Sequence, residues 1–315
     1  MTAHAPLAPE FALIARHFRP LAGQGGLNLA DDAALLTPPP GRELVLSADA
    51  MVAGVHFLPE DPPETIGRKL LRVNLSDLAA MGADPLAYLM TVALPRGMPD
   101  AWLEGFVAGL ALDQAEFALQ VLGGDTVSTP GPVTLSLTIL GTVQPGQALR
   151  RSGARPGDEL WVSGTIGDGA LGLRAARGEI PDPDGYLAGR YRLPTPRIAL
   201  GQALRGIATA CMDVSDGLVQ DLGHLARASG CGAVLYAGLV PHSRQAAGAD
   251  PALLLTGGDD YELLFAARPG TVPTEISQNM AATRIGHFSH GPSDVLVLDQ
   301  AGQPMALSRQ GWSHF

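Results

Sequence analysis

DVSDGLVQDLGHLARAS, residues 213–229, reads as the end of a short strand, a turn and an amphipathic helix. On a strand, side chains alternate, so Asp213 and Ser215 fall on one side, while Asp216 opens the helix that carries Leu218, Leu222 and Leu225. Two oxygen-bearing side chains with a third at the turn suit a hard cation such as magnesium. Capping of the helix by Ser215 or Asp216 is the competing reading. It accounts for one acid but not for Asp213, and the segment alone leaves both readings open.

The same mixture of strand and helix extends in both directions. Residues 43–50 (ELVLSADA) form an apolar strand with Asp49 near its end. Asp61-Pro62-Pro63-Glu64 supplies a cap, first-turn prolines and an early acid for a helix running to about Met81. Ile66, Leu70, Val73 and Asp77 recur at helical spacing, which puts Asp77 on the inward face. An amphipathic helix is expected over 99–121, ending at Gly123-Gly124-Asp125, and an alternating strand over 133–143. Beyond these come a strand at 159–163, a Gly-rich turn and helix at 164–177, and a helix from Thr195 and Pro196. The 315-residue length favours two domains, and the aperiodic Gly-, Pro- and Arg-rich stretch from Pro145 to Gly157 places their boundary near 148. Gly257-Gly258-Asp259 echoes Gly123-Gly124-Asp125 but is too little to prove a repeat.

A net charge of −10 argues against a nucleic-acid partner, since such binders rely on clustered Lys and Arg. It suits a phosphorylated substrate only if carboxylates gather divalent cations that reverse the local charge. Cys211 and Cys231 form no CxxC or zinc-type cluster, and so large a chain has no need of disulfides, which favours a reducing, cytoplasmic compartment. MTAHAPLAPEFALIARHF lacks a basic start and a sustained apolar run, so it is not read as a signal peptide, and no membrane span is expected.

Asp77 is the sharpest of the remaining signals, because an ionised carboxylate on a buried helix face costs several kcal/mol, by rough estimate, unless paired or metal-bound. A salt bridge to Arg68, Lys69 or Arg72 is the alternative, and Asn74 one turn earlier adds to a polar cluster. Asp31-Asp32 and Asp125 are each explained by turn chemistry when taken alone. Aspartates at strand ends and helix termini in both halves together suggest one magnesium site of several ions between domains. Gly167, Gly169 and Gly172 spell GxGxxG after a strand, but the turn-like GEIPDPDGYL that follows excludes a dinucleotide fold. No P-loop or GxSxG elbow is present, and His56 in AGVHF reads by itself as a loop residue without a role rather than as an anion ligand.

These residues resemble the thiamine-monophosphate kinase family, in the superfamily of aminoimidazole ribonucleotide synthetase, selenophosphate synthetase and the hydrogenase-maturation protein HypE. The stretches EFALIARHF, DDAALL, AGVHFLP, VNLSDLAAMGADP, GGDT, ALRRSGARPGD, DVSDGLVQDLGHLARASGCGA, GGDDYELLF and GWSHF carry the likeness nearly end to end. The resemblance implies a two-domain PurM-like architecture: an N-terminal α/β domain with a mixed sheet and helices that forms a homodimer interface, and a C-terminal α+β domain. It implies several Mg2+ ions on Asp32, Asp49, Asp77, Asp125, Asp213 and Asp216, and ATP on Gly124, Asp125, Arg151 and Ser215. His56, Asp259 and Trp312 would face thiamine monophosphate, Trp312 offering its ring to a cationic heteroaromatic. No side chain is implied as an acid, base or nucleophile; transfer rests on positioning and metal ions. The chain departs from the family at Ala48, commonly Thr, at Asp259, commonly Glu, and at NLADD, commonly GIGDD. Another ATP-dependent enzyme of this superfamily, or a non-catalytic nucleotide sensor, is the alternative. Selenophosphate synthetase would call for a reactive Cys or selenocysteine in the N-terminal glycine-rich segment and HypE for a C-terminal Cys, and neither is here.

Overall fold

The computed structural model describes residues 9–313; residues 1–8 of the N-terminal stretch, and His314 and Phe315 of GWSHF, lie outside the described residues. The helices are α1 (Pro9–Leu13), α2 (Pro63–Ala80), α3 (Asp100–Phe117), α4 (Asp168–Ala176), α5 (Tyr186–Arg192), α6 (Ile198–Ala203), α7 (Leu218–Ser229), α8 (Pro251–Thr256) and α9 (Thr274–Asn279). The strands are β1 (Glu43–Val52), β2 (Asp84–Pro95), β3 (Val121–Thr129), β4 (Thr134–Val143), β5 (Glu159–Ser163), β6 (Ala208–Val214), β7 (Gly232–Tyr236), β8 (Glu262–Ala267), β9 (Ala282–Ser289) and β10 (Val295–Leu298). They divide into two compact units, one of residues up to Asn74 with Pro85–Thr142, the other of Leu75–Asp84 with residues from Val143 onward.

The first unit is built on a four-stranded sheet of order β1-β4-β2-β3, with β2 and β3 parallel. Leu135, Leu137 and Ile139 are fully buried along β4, as strand alternation requires. Helices α2 and α3 touch backbone to backbone, because a Cβ on Gly67 would run into the Phe106 carbonyl and one on Gly109 into the Glu64 carbonyl. Between them lies the fully buried Asp113 carboxylate. It takes hydrogen bonds from Arg68 Nε at 2.9 Å and from Arg72 Nε and Nη2 at 2.6 and 3.0 Å.

The second unit carries a six-stranded mixed sheet of order β10-β7-β9-β5-β8-β6, in which β10 and β7 are parallel and β5, β6, β8 and β9 pair antiparallel. Leu218, Leu222 and Leu225 of α7 sink into a core with Val214, Leu264, Ile285 and Phe288. A second core gathers Leu200, Leu204 and Phe265 with Ala79 and Ala80 from the last turn of α2.

Three expectations need correction. The helix expected to reach residue 121 stops at Phe117, where Ala118 turns left-handed, and Gly123-Gly124-Asp125 lies inside β3 rather than in a turn. The helix expected from Thr195 begins at Ile198. The helix expected from Asp216 begins at Leu218, and β6 ends at Val214, so Ser215 lies beyond the strand.

Replacing Asp113 with Ala leaves two guanidinium groups without their buried carboxylate, and we expect a loss of about 3–5 kcal/mol in stability. Urea unfolding of the variant and of Asp113→Asn measures it, with the Asn variant losing less.

Candidate functional site

Where β6 ends, the chain exposes three consecutive carbonyl groups, and each accepts a main-chain N–H from a distant segment. Tyr261 N donates to Val214 O at 2.8 Å, Asp259 N to Ser215 O at 2.9 Å, and Trp312 N to Asp216 O at 2.9 Å. One turn therefore holds Asp213, Ser215, Asp216, Asp259 and Trp312 together within the second unit. The close fit depends on Gly258, where a Cβ would collide with the Ser215 carbonyl. Asp259 sits at φ 67 and Tyr261 at φ 51, left-handed conformations that tie the loop to the turn.

The carboxylates around the turn are crowded. Asp213 is buried and accepts Ser76 Oγ at 2.7 Å, so the residue beside Asp77 is keyed to the strand that carries Asp213. From Lys69 to Ala80 every residue is buried except Asp77, which is half-buried. Neither Ser215 nor Asp216 caps α7. Its cap is Gly217, at φ 130, and Asp221 reaches back to accept the N–H groups of Asp216 and Gly217, both at 3.1 Å. Sequence reading passed over Asp221, whose i+5 spacing from Asp216 was the available signal. Burial, and then the charges of Asp213 and Asp216, push its pKa up to about 8. Asp216, Asp221 and His224 each bring a ligand atom within 4.8 Å of the others. Crowded oxygen donors that repel one another fit a hard divalent cation, which would relieve that repulsion. The Arg151 carbonyl accepts Ser229 Oγ at 3.3 Å at the far, C-terminal end of α7, and the Arg151 charge is felt at His224.

The GxGxxG loop has an internal occupant. Gly167 N and Gly169 N donate to the two oxygens of the buried Asp260 at 2.9 and 3.0 Å, so the N–H groups that would cradle a phosphate are taken. Burial pushes Asp260 up to about 8, opposed by these two hydrogen bonds. Two residues on, the buried Glu262 is gripped by Arg197 Nε and Nη2, both at 2.6 Å, by Arg190 Nη2 at 3.0 Å and by Ser163 Oγ at 2.5 Å. Asp260 and Glu262 thus fix both sides of the left-handed Tyr261, and with it the placement of Asp259.

In the first unit, a cavity of about 790 Å³ is lined by Asp31, Asp32, Gly124, Asp125, Thr91 and Thr138 among others. It brings Asp32 together with Gly124 and Asp125 but not with Asp49. Asp125 is exposed and accepts its neighbour Thr126 N at 2.9 Å. Gly124 is required on β3 because a Cβ there would strike the Met90 carbonyl across the parallel pair. Leu27, Asn28 and Leu29 all have positive φ, so the chain enters NLADD through left-handed backbone without glycine and returns to the ordinary region at Ala30. Asp49 on β1 is held by its N–H, which donates to Asn74 Oδ1 at 3.2 Å, while Asn74 Nδ2 donates to Leu70 O. His56 Nδ1 accepts Val52 N at 3.0 Å, which fixes the tautomer protonated on Nε2, and its carbonyl accepts Lys69 Nζ at 2.9 Å.

The chain matches two family models, AIR synthase related protein, N-terminal domain, over residues 30–143, and AIR synthase related protein, C-terminal domain, over residues 155–299. It is 44% identical to the thiamine-monophosphate kinase of Caulobacter vibrioides over 97% of this chain and 90% of that one. The crystal structure of thiamine-monophosphate kinase from Stenotrophomonas maltophilia K279a is similar at a TM-score of 0.83 and 40% identity, covering 94% of this chain and 98% of that one. The structure of AaThiL complexed with AMPPCP and TMP is similar at a TM-score of 0.80 and 30% identity, covering 99% and 100%.

Asp260 gives a pH-dependent expectation. Its carboxyl keeps a proton in the folded chain up to about pH 8, whereas in the unfolded chain it ionises in the ordinary carboxylate range near pH 4. The folded state therefore binds more protons in that window, and stability falls as pH rises through it. Urea midpoints of the wild type and Asp260→Asn, compared from pH 4 to 8, should show the wild type losing ground to the variant as pH increases.

Proposed function

Because the chain belongs to the thiamine-monophosphate kinase family of AIR synthase related proteins, we propose that it transfers the γ-phosphoryl group of ATP directly to the phosphate of thiamine monophosphate, giving thiamine diphosphate and ADP. The observation that carries this reading is the turn at 214–216, whose carbonyls seat Asp259 and Trp312 beside Asp213, Ser215 and Asp216. A crowded carboxylate group and the residues assigned to the acceptor thus share one piece of backbone. The complex of AaThiL with AMPPCP, whose methylene replaces the β–γ bridging oxygen of ATP, and TMP supports both substrates.

Magnesium ions on Asp32, Asp49 and Asp125 of the first unit, and on Asp77, Asp213 and Asp216 of the second, would neutralise the two phosphates whose repulsion opposes in-line approach. The protein's own part is placement. Ser76 holds Asp213, Asn74 holds the Asp49 backbone, and Asp221 holds the turn that presents Asp216. Ser215, Arg151, Gly124 and Asp125 are the proposed ATP contacts. His56 offers a neutral Nε2–H to the acceptor phosphate, Trp312 an indole face to the thiazolium cation, and Asp259 a carboxylate to the same cation. A phosphate acceptor is already ionised near neutral pH, so no side chain need remove a proton. This accords with the absence of an assigned base and with transfer that leaves no phosphoenzyme.

Exposed Leu44 and Leu46 on β1, Leu89 on β2 and Val127 on β3 support the homodimer reading, since apolar side chains on a sheet edge or face favour coverage. No described helix is long and apolar enough to cross a membrane. Cys211 and Cys231 are buried and free, which supports a reducing, cytoplasmic setting.

ADP release with thiamine monophosphate, free thiamine and no acceptor tests the reaction, with turnover expected only for the first. Nucleotide binding without turnover would favour a sensor. Asp77→Asn should lower kcat by about 100-fold or more, on the scale of losing an electrostatic group at a phosphoryl-transfer centre, while its thermal midpoint stays near that of the wild type.

A further inference from the structure

We propose that Gln220 is a positioning residue that locks Trp312 to Asp216 and so sets the affinity for the phosphate acceptor. The inference rests on the roles proposed above for those two residues. Gln220 lies on the first turn of α7 and is half-buried. Its Nε2 donates to Asp216 Oδ2 at 3.0 Å and to Trp312 O at 2.7 Å. Both partners are acceptors, so the amide must present its NH2 group, and the two N–H bonds account for both of its protons. Trp312 N meanwhile donates to Asp216 O at 2.9 Å. The tryptophan's peptide is held at both ends, at its N–H by the main chain of Asp216 and at its carbonyl by Gln220.

A second observation bears on the same contact. Gly311 lies so close to this helix turn that a Cβ there would meet the Gln220 side chain and the Asp216 carbonyl. The C-terminal segment can lie down on α7 only with glycine at 311, and Gln220 forms the surface it lies on. The indole itself is half exposed, and these ties hold the main chain from which it projects. A single amide therefore fixes one oxygen of a proposed metal ligand and the backbone of the proposed acceptor contact in one arrangement.

The test compares the steady-state kinetics of Gln220→Met, Gln220→Glu, Gly311→Ala and Trp312→Ala on the full chain, with KM determined separately for thiamine monophosphate and ATP. Gln220→Met keeps the length but donates nothing. Gln220→Glu places an acceptor against two acceptors. Two hydrogen bonds of ordinary strength correspond to roughly a 10-fold effect. Both Gln220 variants should raise KM for thiamine monophosphate by about that factor, the Glu variant more, with KM for ATP changed less than about twofold. Gly311→Ala should give the same split by lifting the segment from its other side. If the Gln220 variants leave KM for thiamine monophosphate unchanged while Trp312→Ala raises it, the positioning role is wrong and the role of Trp312 stands. If Trp312→Ala leaves that KM unchanged, the proposed role of Trp312 fails and the inference fails with it. A parallel rise in both KM values would mark a general disturbance of the site and would also overturn the proposal.

Discussion

Three adjacent carbonyl oxygens, on Val214, Ser215 and Asp216, carry the organisation of the second unit's site. A strand that ends within a sheet leaves polar main-chain groups that must find partners, because a buried unpaired carbonyl is costly. Here the partners are the N–H groups of Tyr261, Asp259 and Trp312, from segments far apart in the chain. Satisfying the end of β6 is thus the same event as assembling the site. Asp259 and Trp312 are placed at this turn through their main-chain N–H groups.

The acids of this protein divide by what holds them. Asp113, Asp260 and Glu262 are buried, and each is surrounded by donors: guanidinium groups, peptide N–H groups or a serine hydroxyl. They act as internal hydrogen-bond acceptors that fix helix pairs and loops. Asp221 belongs partly with them, since it takes up the N–H groups at the start of α7, but it also faces Asp213 and Asp216. Like charges crowded at one helix terminus are unfavourable by themselves, and this is the electrostatic argument for cations there.

The glycine-rich loop at 167–172, excluded as a dinucleotide site by the turn-like segment after it, shows in the tertiary structure where its donors go instead. Its spacing and its position between a strand and a helix fit a phosphate cradle. The donors are instead consumed by Asp260, a residue about ninety positions later. The loop serves as an anchor for the segment carrying Asp259. Similarly, Gly123-Gly124-Asp125 reads as a turn but is a strand, because parallel pairing with β2 supplies hydrogen bonds that local propensity does not foresee.

The sequence by itself determined the strand and helix order around residues 43–81, 133–143 and 159–163, since hydrophobic periodicity follows directly from which face is buried. It also determined the family, through the long stretches VNLSDLAAMGADP and DVSDGLVQDLGH, whereas Asp77, expected on the inward face, is half-buried and the one residue not buried between Lys69 and Ala80. What only the tertiary structure decided is which donor meets which acceptor. Asp221 rather than Ser215 or Asp216 satisfies the start of α7, Ser76 holds Asp213, and Gln220 joins Asp216 to Trp312. Such pairings depend on distances between segments remote in the chain, and a one-dimensional pattern records burial but not those distances.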